Sequence, residues 1–378
     1  MLASLYPQDF MQIHPVIFTS SATRIVPIIK VVGEACNLKC SYCYYNHINQ
    51  TQDNYKRMSL NTLESFIKQY LSIFDGQIVF IWHGGEPLIA GIDFYEQVVT
   101  FENKYKNESH IITNAIQTNG TLINSDWCSF FKKHSFKVSI SFDGCPEIHD
   151  RYRKNIHGIG SSNKVVNSIK LLKQYGITPS ILQTVTKESL KYLRLSFNYF
   201  IDELGIKDWG INVFRDIEQT NPLMLNESLN NDEYYNLFRT LIDLWIERND
   251  PNLKIREIED YAIAALGKTP NTCSLSGNCS SFMTVNWDGT IYPCCDNLVP
   301  EISHLNYNLN EANLIEILNS PERLSFAEKI NDLPPKCHEC EYLHCCYNGC
   351  TYHRENGQNP YCEAHMRLIQ YLKTLLSN

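Results

Sequence analysis

Three cysteines, Cys36, Cys40 and Cys43, stand together near the start of the chain, and Cys273, Cys279, Cys294, Cys337, Cys340, Cys346, Cys350 and Cys362 are spaced along its C-terminal part. A metal or cluster held by four protein ligands is coordinatively closed, whereas one held by three keeps a position open for a substrate or cofactor. Three thiols against eight therefore predict one working centre and two filled ones. The first set reads C-x3-C-x2-C. On its own a C-x2-C pair also suits zinc, with His47 or a distant residue as a further ligand.

Four polar segments could serve that centre. Gly84-Gly85-Glu86-Pro87 joins two residues that permit close backbone approach to a carboxylate and a rigid turn, a combination suited to an ammonium group; a plain turn before a helix is the alternative. Gln117-Thr118-Asn119 and Ser141-x-Asp143 supply hydrogen-bonding side chains. Arg153 offers a planar fork for a carboxylate, or a surface ion pair with Asp150 or Glu147. His83 and His149 read as structural.

The elements that position these residues follow from hydrophobic pattern. Short β-branched runs at 25–32, 77–83, 110–118, 137–142, 179–185 and 209–214 alternate with amphipathic stretches at 59–73, 92–106, 124–134, 163–175 and 189–204. That alternation predicts βα units around a parallel sheet, and in βα barrels the chemistry gathers on loops at the carboxyl ends of the strands. The cysteine triad and the first three of these segments fall there, one after each of the first four strands. A further amphipathic stretch covers 232–248, and beyond about residue 270 turn residues and cysteines replace periodicity, so that part is expected to need metal to fold. The division expected is an N-terminal segment 1–25, a barrel 26–230, a helical bridge 231–270 and a cysteine-rich unit 271–378.

Composition narrows the partners. A formal charge of −8 without a lysine or arginine run argues against nucleic acid or an anionic membrane surface. No apolar run is long enough to span a bilayer, and the N-terminus lacks the pattern of an export signal. An odd number of clustered cysteines then fits thiols in a reduced cytoplasm better than disulfides.

The C-x3-C-x2-C set with Tyr42 before its last cysteine, together with the GGEP, QTNG and S-x-D-G segments, resembles the radical SAM enzymes. The C-terminal array, including Gly289 five residues before Cys294, resembles their SPASM extension. The resemblance implies a partial (β/α)6 TIM-like barrel with a small iron-sulfur extension and three 4Fe-4S clusters. Cys36, Cys40 and Cys43 would hold the cluster that binds S-adenosylmethionine, whose reductive cleavage gives a 5′-deoxyadenosyl radical. Tyr42 would lie against adenine, where ordinary core packing is the alternative. Gly84, Gly85, Glu86 and Pro87 would bind the methionine amino group. Gln117, Thr118, Asn119, Ser141 and Asp143 would reach ribose and the methionine carboxylate, with Arg153 as a carboxylate partner. By the same resemblance Cys273, Cys279, Cys294 and Cys350 would hold one auxiliary cluster, and Cys337, Cys340, Cys346 and Cys362 the other.

Within that family the resemblance points to a peptide or protein substrate and an electron donor such as flavodoxin or ferredoxin. Two reactions compete: crosslinking of a ribosomally made precursor peptide, and oxidation of a sulfatase Cys or Ser to formylglycine. Sulfatase maturases carry an Asp directly after the third ligand of the first auxiliary cluster; here that position is Cys295, and Asp296 comes one later. A one-residue shift can turn a side chain the other way, so the expectation is a crosslinking maturase with Asp296 as its candidate base, a surface electrostatic role being the alternative for that residue. Epimerisation, with Cys145 as hydrogen donor, is a further alternative. A zinc-stabilised binding protein is the reading from another class.

Overall fold

The computed structural model describes residues 25–47, 56–216, 224–294 and 307–377. Strands β1 (Val26–Lys30), β2 (Gln77–His83), β3 (Ile111–Thr118), β4 (Lys137–Ser141), β5 (Ser180–Val185) and β6 (Asp208–Val213) pair side by side, all parallel. Helices α1 (Leu60–Ile73), α2 (Ile92–Tyr105), α3 (Ser125–His134), α4 (Pro146–Tyr152), α5 (Ser162–Gln174) and α6 (Leu193–Asn198) make the crossovers. This is the partial barrel that the resemblance implies.

Alternation along each strand separates two environments. On β2, Ile78, Phe80 and Trp82 are fully buried, whereas Val79, Ile81 and His83 are partly exposed. The first three face the helical layer; the others face the barrel interior, as period two requires. Helix α1 answers them with Leu63, Phe66, Ile67, Tyr70 and Leu71 at helical spacing.

The stretch expected as one helix, 189–204, is three short helical pieces. A 3-10 turn, Glu188–Tyr192, precedes α6, and a π turn, Tyr199–Glu203, follows it, closed by Leu204 N–H to the Tyr199 carbonyl at 3.0 Å. The wider turn lets Phe200 and Ile201 both enter the core while Asp202 and Glu203 stay in water.

Beyond β6 come α7 (Asn231–Arg248), β7 (Lys254–Ile255) and α8 (Arg256–Ala265); β7 adds to the sheet beside β6. At the opposite edge the cysteine-rich part contributes β8 (Phe282–Asn286), parallel to β1 with Ile28 opposite Thr284, and its antiparallel partner β9 (Ile291–Tyr292). Gly289 sits in the turn between these two. The final order is β7-β6-β5-β4-β3-β2-β1-β8-β9. Met283, Val285 and Ile291 are therefore buried in the same core as the barrel strands. The cysteine-rich part borrows a core rather than building one, which is why its own sequence shows little periodicity. The C-terminal helix, Cys362–Ser377, packs its buried face on α7 and α8. No helix among the described residues is long and apolar enough to cross a membrane.

Candidate active site

The loop after β1 carries the cysteine triad, and the GGEP segment after β2 is laced onto it. Gly85 N–H donates to the Gly33 carbonyl at 2.7 Å and Glu86 N–H to the Ala35 carbonyl at 2.8 Å. A Cβ on Gly85 would lie 2.0 Å from the Ala35 oxygen. Gly84 adopts φ +119, which side chains rarely tolerate, and it too is crowded by the Gly33 carbonyl. Glycine is required here because two backbone segments touch.

Glu86 is completely buried, and its carboxylate ties three places together. Oε1 accepts from Thr118 Oγ1 at 2.7 Å and from Leu88 N–H at 3.0 Å, and Oε2 accepts from Asn119 N–H at 2.7 Å. Burial pushes its pKa up to about 7, and those hydrogen bonds oppose the rise. Pro87 opens the short turn that Glu86 caps. Asn119 in turn reaches the triad: its amide donates to Asn37 Oδ1 at 2.8 Å and lies 3.7 Å from Cys36 Sγ. Gln117 Nε2 donates to Ser141 Oγ at 2.9 Å, joining the third and fourth strands inside the barrel.

Asp143 is the second buried hub. Oδ2 accepts from Arg153 Nε at 2.8 Å and from the Tyr42 hydroxyl at 2.5 Å, and Oδ1 accepts from Thr184 N–H at 3.0 Å. Helix α4 makes this possible. It starts just after Asp143 and ends by returning His149 and Arg153 to it; His149 Nδ1 accepts the Asp143 N–H at 3.2 Å, and Nε2 pairs with Ser161 Oγ. Burial drives the His149 pKa down to about 3, so the ring is a neutral brace. Arg153 pairs with neither Asp150 nor Glu147. Its guanidinium stands 5.4 Å from the centre of the Tyr42 ring and pulls the Cys40 pKa down against the rise that burial causes. The Tyr42 ring packs at 5.8 Å from Tyr152 and 6.2 Å from Phe214.

The three thiols of the triad feel one another. Burial raises all three, Cys40 to about 12, and Arg153 partly offsets the rise at Cys40. Thiols held this high ionise only when a cation compensates them.

In the C-terminal part, burial raises Cys273, and Cys350, Cys279 and Cys294 add to the effect in that order. Cys337, Cys340, Cys346 and Cys362 line a separate cavity. The chain thus gathers the eight cysteines into two interleaved fours. Cys345 belongs to neither: it is buried in the core with its thiol on the Tyr342 carbonyl. Cys128 and Cys145 are likewise buried among apolar groups. Cys295 and Asp296 lie outside the described residues. No three His, Cys, Asp or Glu side chains among the described residues could hold a single metal ion.

Several contributors went unread in the sequence. Lys30 is buried at the end of β1 with the Tyr44 and Tyr45 rings 5.8 and 5.3 Å from its ammonium. The signal was a single lysine inside an apolar strand, at the position that faces the barrel interior. Asn37, Gln183 and Thr184 carry no motif and act through their backbones or by bracing neighbours.

A family model described as the radical SAM superfamily matches residues 31–189, and one described as an iron-sulfur cluster-binding domain, SPASM, matches residues 273–341. A cysteine-type anaerobic sulfatase-maturating enzyme of Clostridium novyi is 32% identical over 89% of this chain and 92% of its own length. A serine-type enzyme of the same kind from Bacteroides thetaiotaomicron is 29% identical over 93% and 90%. The solved structure of native anSMEcpe with bound AdoMet and Cp18Cys peptide superposes with TM-score 0.84 at 28% identity, covering 94% of this chain and 99% of that one.

Proposed function

Because the chain belongs to the radical SAM superfamily and, within it, to the family of the anaerobic sulfatase-maturating enzymes, we propose that it oxidises a Cys or Ser of a sulfatase to formylglycine. The observation that carries this reading is likeness over nearly the whole length to maturases of both the cysteine and the serine type.

The residues present fit the cofactors of such an enzyme. Cys36, Cys40 and Cys43 would hold the first 4Fe-4S cluster and leave one iron for S-adenosylmethionine; the two C-terminal fours would hold auxiliary clusters. When bound, these groups supply a hydrogen-atom abstractor and a route for the second electron. The protein's part is positioning. The backbone of Gly84 and Gly85, with the remaining lone pair of Glu86 Oε2, would meet the methionine ammonium, and Pro87 fixes that turn. Ser141 and Gln117, inside the barrel, would meet the carboxylate and ribose, with Thr118 and Asn119 held in place by Glu86. Asp143, with three donors already, would aim Arg153 and Tyr42 at the ligand and keeps one lone pair on Oδ1 for a ribose hydroxyl. Asp296 would take the proton released when the target carbon is oxidised. An external donor of the flavodoxin or ferredoxin type supplies the first electron. The described cysteines are all free, which suits a reducing cytoplasmic setting.

Peptide crosslinking is the second reading, favoured by Cys295 standing where the maturases have Asp. One experiment separates the two. The anaerobically reconstituted protein is given a synthetic peptide spanning a sulfatase target Cys, and the product is read by mass spectrometry and aldehyde trapping. Loss of the sulfur with a trappable aldehyde is expected. A product that keeps its sulfur and loses two hydrogens, without an aldehyde, would establish crosslinking instead.

A further inference from the structure

We propose that His365 donates a hydrogen bond from Nε2 to the cluster held by Cys337, Cys340, Cys346 and Cys362, and so sets that cluster's reduction potential. The inference rests on reading those four cysteines as a 4Fe-4S site. His365 lies one helical turn after Cys362 and lines the same cavity as the four thiols. It is buried, and its Nδ1 is taken by the Tyr261 hydroxyl at 2.6 Å. Among the described residues Nε2 has no protein hydrogen-bond partner.

The direction of the hydrogen-bond chain follows from what each group can accept. Tyr261 is also 3.0 Å from the Tyr234 hydroxyl, so three buried groups stand in line: Tyr234, Tyr261 and His365. Whether Nε2 carries a hydrogen then depends on which way this chain of hydrogen bonds runs. If that hydrogen were on Nδ1, it would go to Tyr261, Tyr261 would donate to Tyr234, and the Tyr234 proton would have no acceptor among the described residues. The bare Nε2 would then face thiolates and sulfides, which only accept. With the hydrogen on Nε2, Tyr234 donates to Tyr261, Tyr261 donates to Nδ1, and Nε2–H meets sulfur. Every proton then has an acceptor, the arrangement buried polar networks adopt.

A hydrogen bond to cluster sulfur stabilises the more negative, reduced state and raises the potential. His365 would therefore make this cluster easier to reduce than it would be without the imidazole.

The test uses the full-length chain with Cys36, Cys40 and Cys43 replaced by Ala, reconstituted anaerobically so that only the two C-terminal clusters titrate. Redox titration followed by electron paramagnetic resonance is compared for the parent, His365→Phe and His365→Gln. One of the two midpoint potentials should fall in His365→Phe and return most of the way in His365→Gln, whose amide again offers a donor. The other should not move. Two unchanged potentials at full iron and sulfide content would overturn the proposal. Should His365→Phe lose one cluster, Tyr261→Phe is read instead: a smaller fall in the same potential supports the chain, and no fall overturns it. Uptake of zinc without sulfide in the parent would instead remove the reading of the site itself.

Discussion

Arg153 donates from Nε to Asp143 Oδ2 at 2.8 Å, and the Asp143 side chain has no exposure to water at all. A buried ion pair adds little net stability, but it fixes geometry. Here it fixes two things, since the same oxygen also receives the Tyr42 hydroxyl. The residue before Cys43 and the guanidinium beside Cys40 are therefore aimed by one carboxylate on a different strand loop.

Replacing Asp143 by Ala leaves Arg153 buried without its counter-charge and leaves the Thr184 N–H unpaired. Removing one partner of such a pair costs about 3–5 kcal/mol. Asp143→Ala is expected to lower unfolding stability by that order in chemical denaturation, and Asp143→Asn by less, because the amide oxygen still accepts. Both should weaken binding of S-adenosylmethionine in equilibrium dialysis. Asp143→Ala with parent-like stability would show that the hub is dispensable.

Gly85→Ala forces a methyl into the Ala35 carbonyl. The backbone leading to Cys36 must move, whereas the C-terminal cysteines are carried by other elements. The expected result is a protein that reconstitutes with the iron and sulfide of two clusters rather than three. Iron and sulfide analysis reads this directly, and a full complement would count against the close approach.

Much of this site is legible in the sequence. The triad, GGEP, QTNG and S-x-D-G segments each follow a strand whose apolar period is plain, so their convergence on one rim followed from the βα pattern. What was not legible is how the carboxylates are used. Nothing in the spacing says that Glu86 spends most of its acceptors on Thr118, Asn119 and Leu88, or that Arg153 chooses Asp143 over the nearer Asp150. Those choices depend on α4 folding back over its own start, a long-range matter. The same holds for β8, whose place beside β1 no local signal announces.

Glu102 offers a test of buried charge away from the cofactors. Its Oε2 accepts from Asn114 Nδ2 at 3.1 Å, while Oε1 has no partner, and burial raises its pKa from 4.5 to about 7. The folded state thus binds the proton more tightly than the unfolded state. Stability contributed by the neutral form is complete below about pH 4.5 and is lost as pH rises to about 7. Glu102→Gln, which keeps the shape without the charge, should be nearly neutral at pH 4.5 and stabilising at pH 8 by at most about 3 kcal/mol. The difference between the two proteins in urea denaturation across this range is the measurement; a pH-independent difference would refute it.

Asp296 follows Cys295 rather than Cys294, and both residues lie outside the described part of the chain, so its role is tested by chemistry alone. A base that acts only after hydrogen abstraction affects product but not cofactor cleavage. Asp296→Asn should therefore slow peptide oxidation by about 10²-fold or more, while reductive formation of 5′-deoxyadenosine and iron content stay near the parent values. Cys295→Ala serves as the control for local disturbance and should leave the ratio of oxidised peptide to 5′-deoxyadenosine unchanged. If Asp296→Asn also leaves that ratio intact, the proton goes elsewhere. A ratio that collapses in Cys295→Ala but not in Asp296→Asn would assign the role to the thiol that occupies the position of the maturases' Asp.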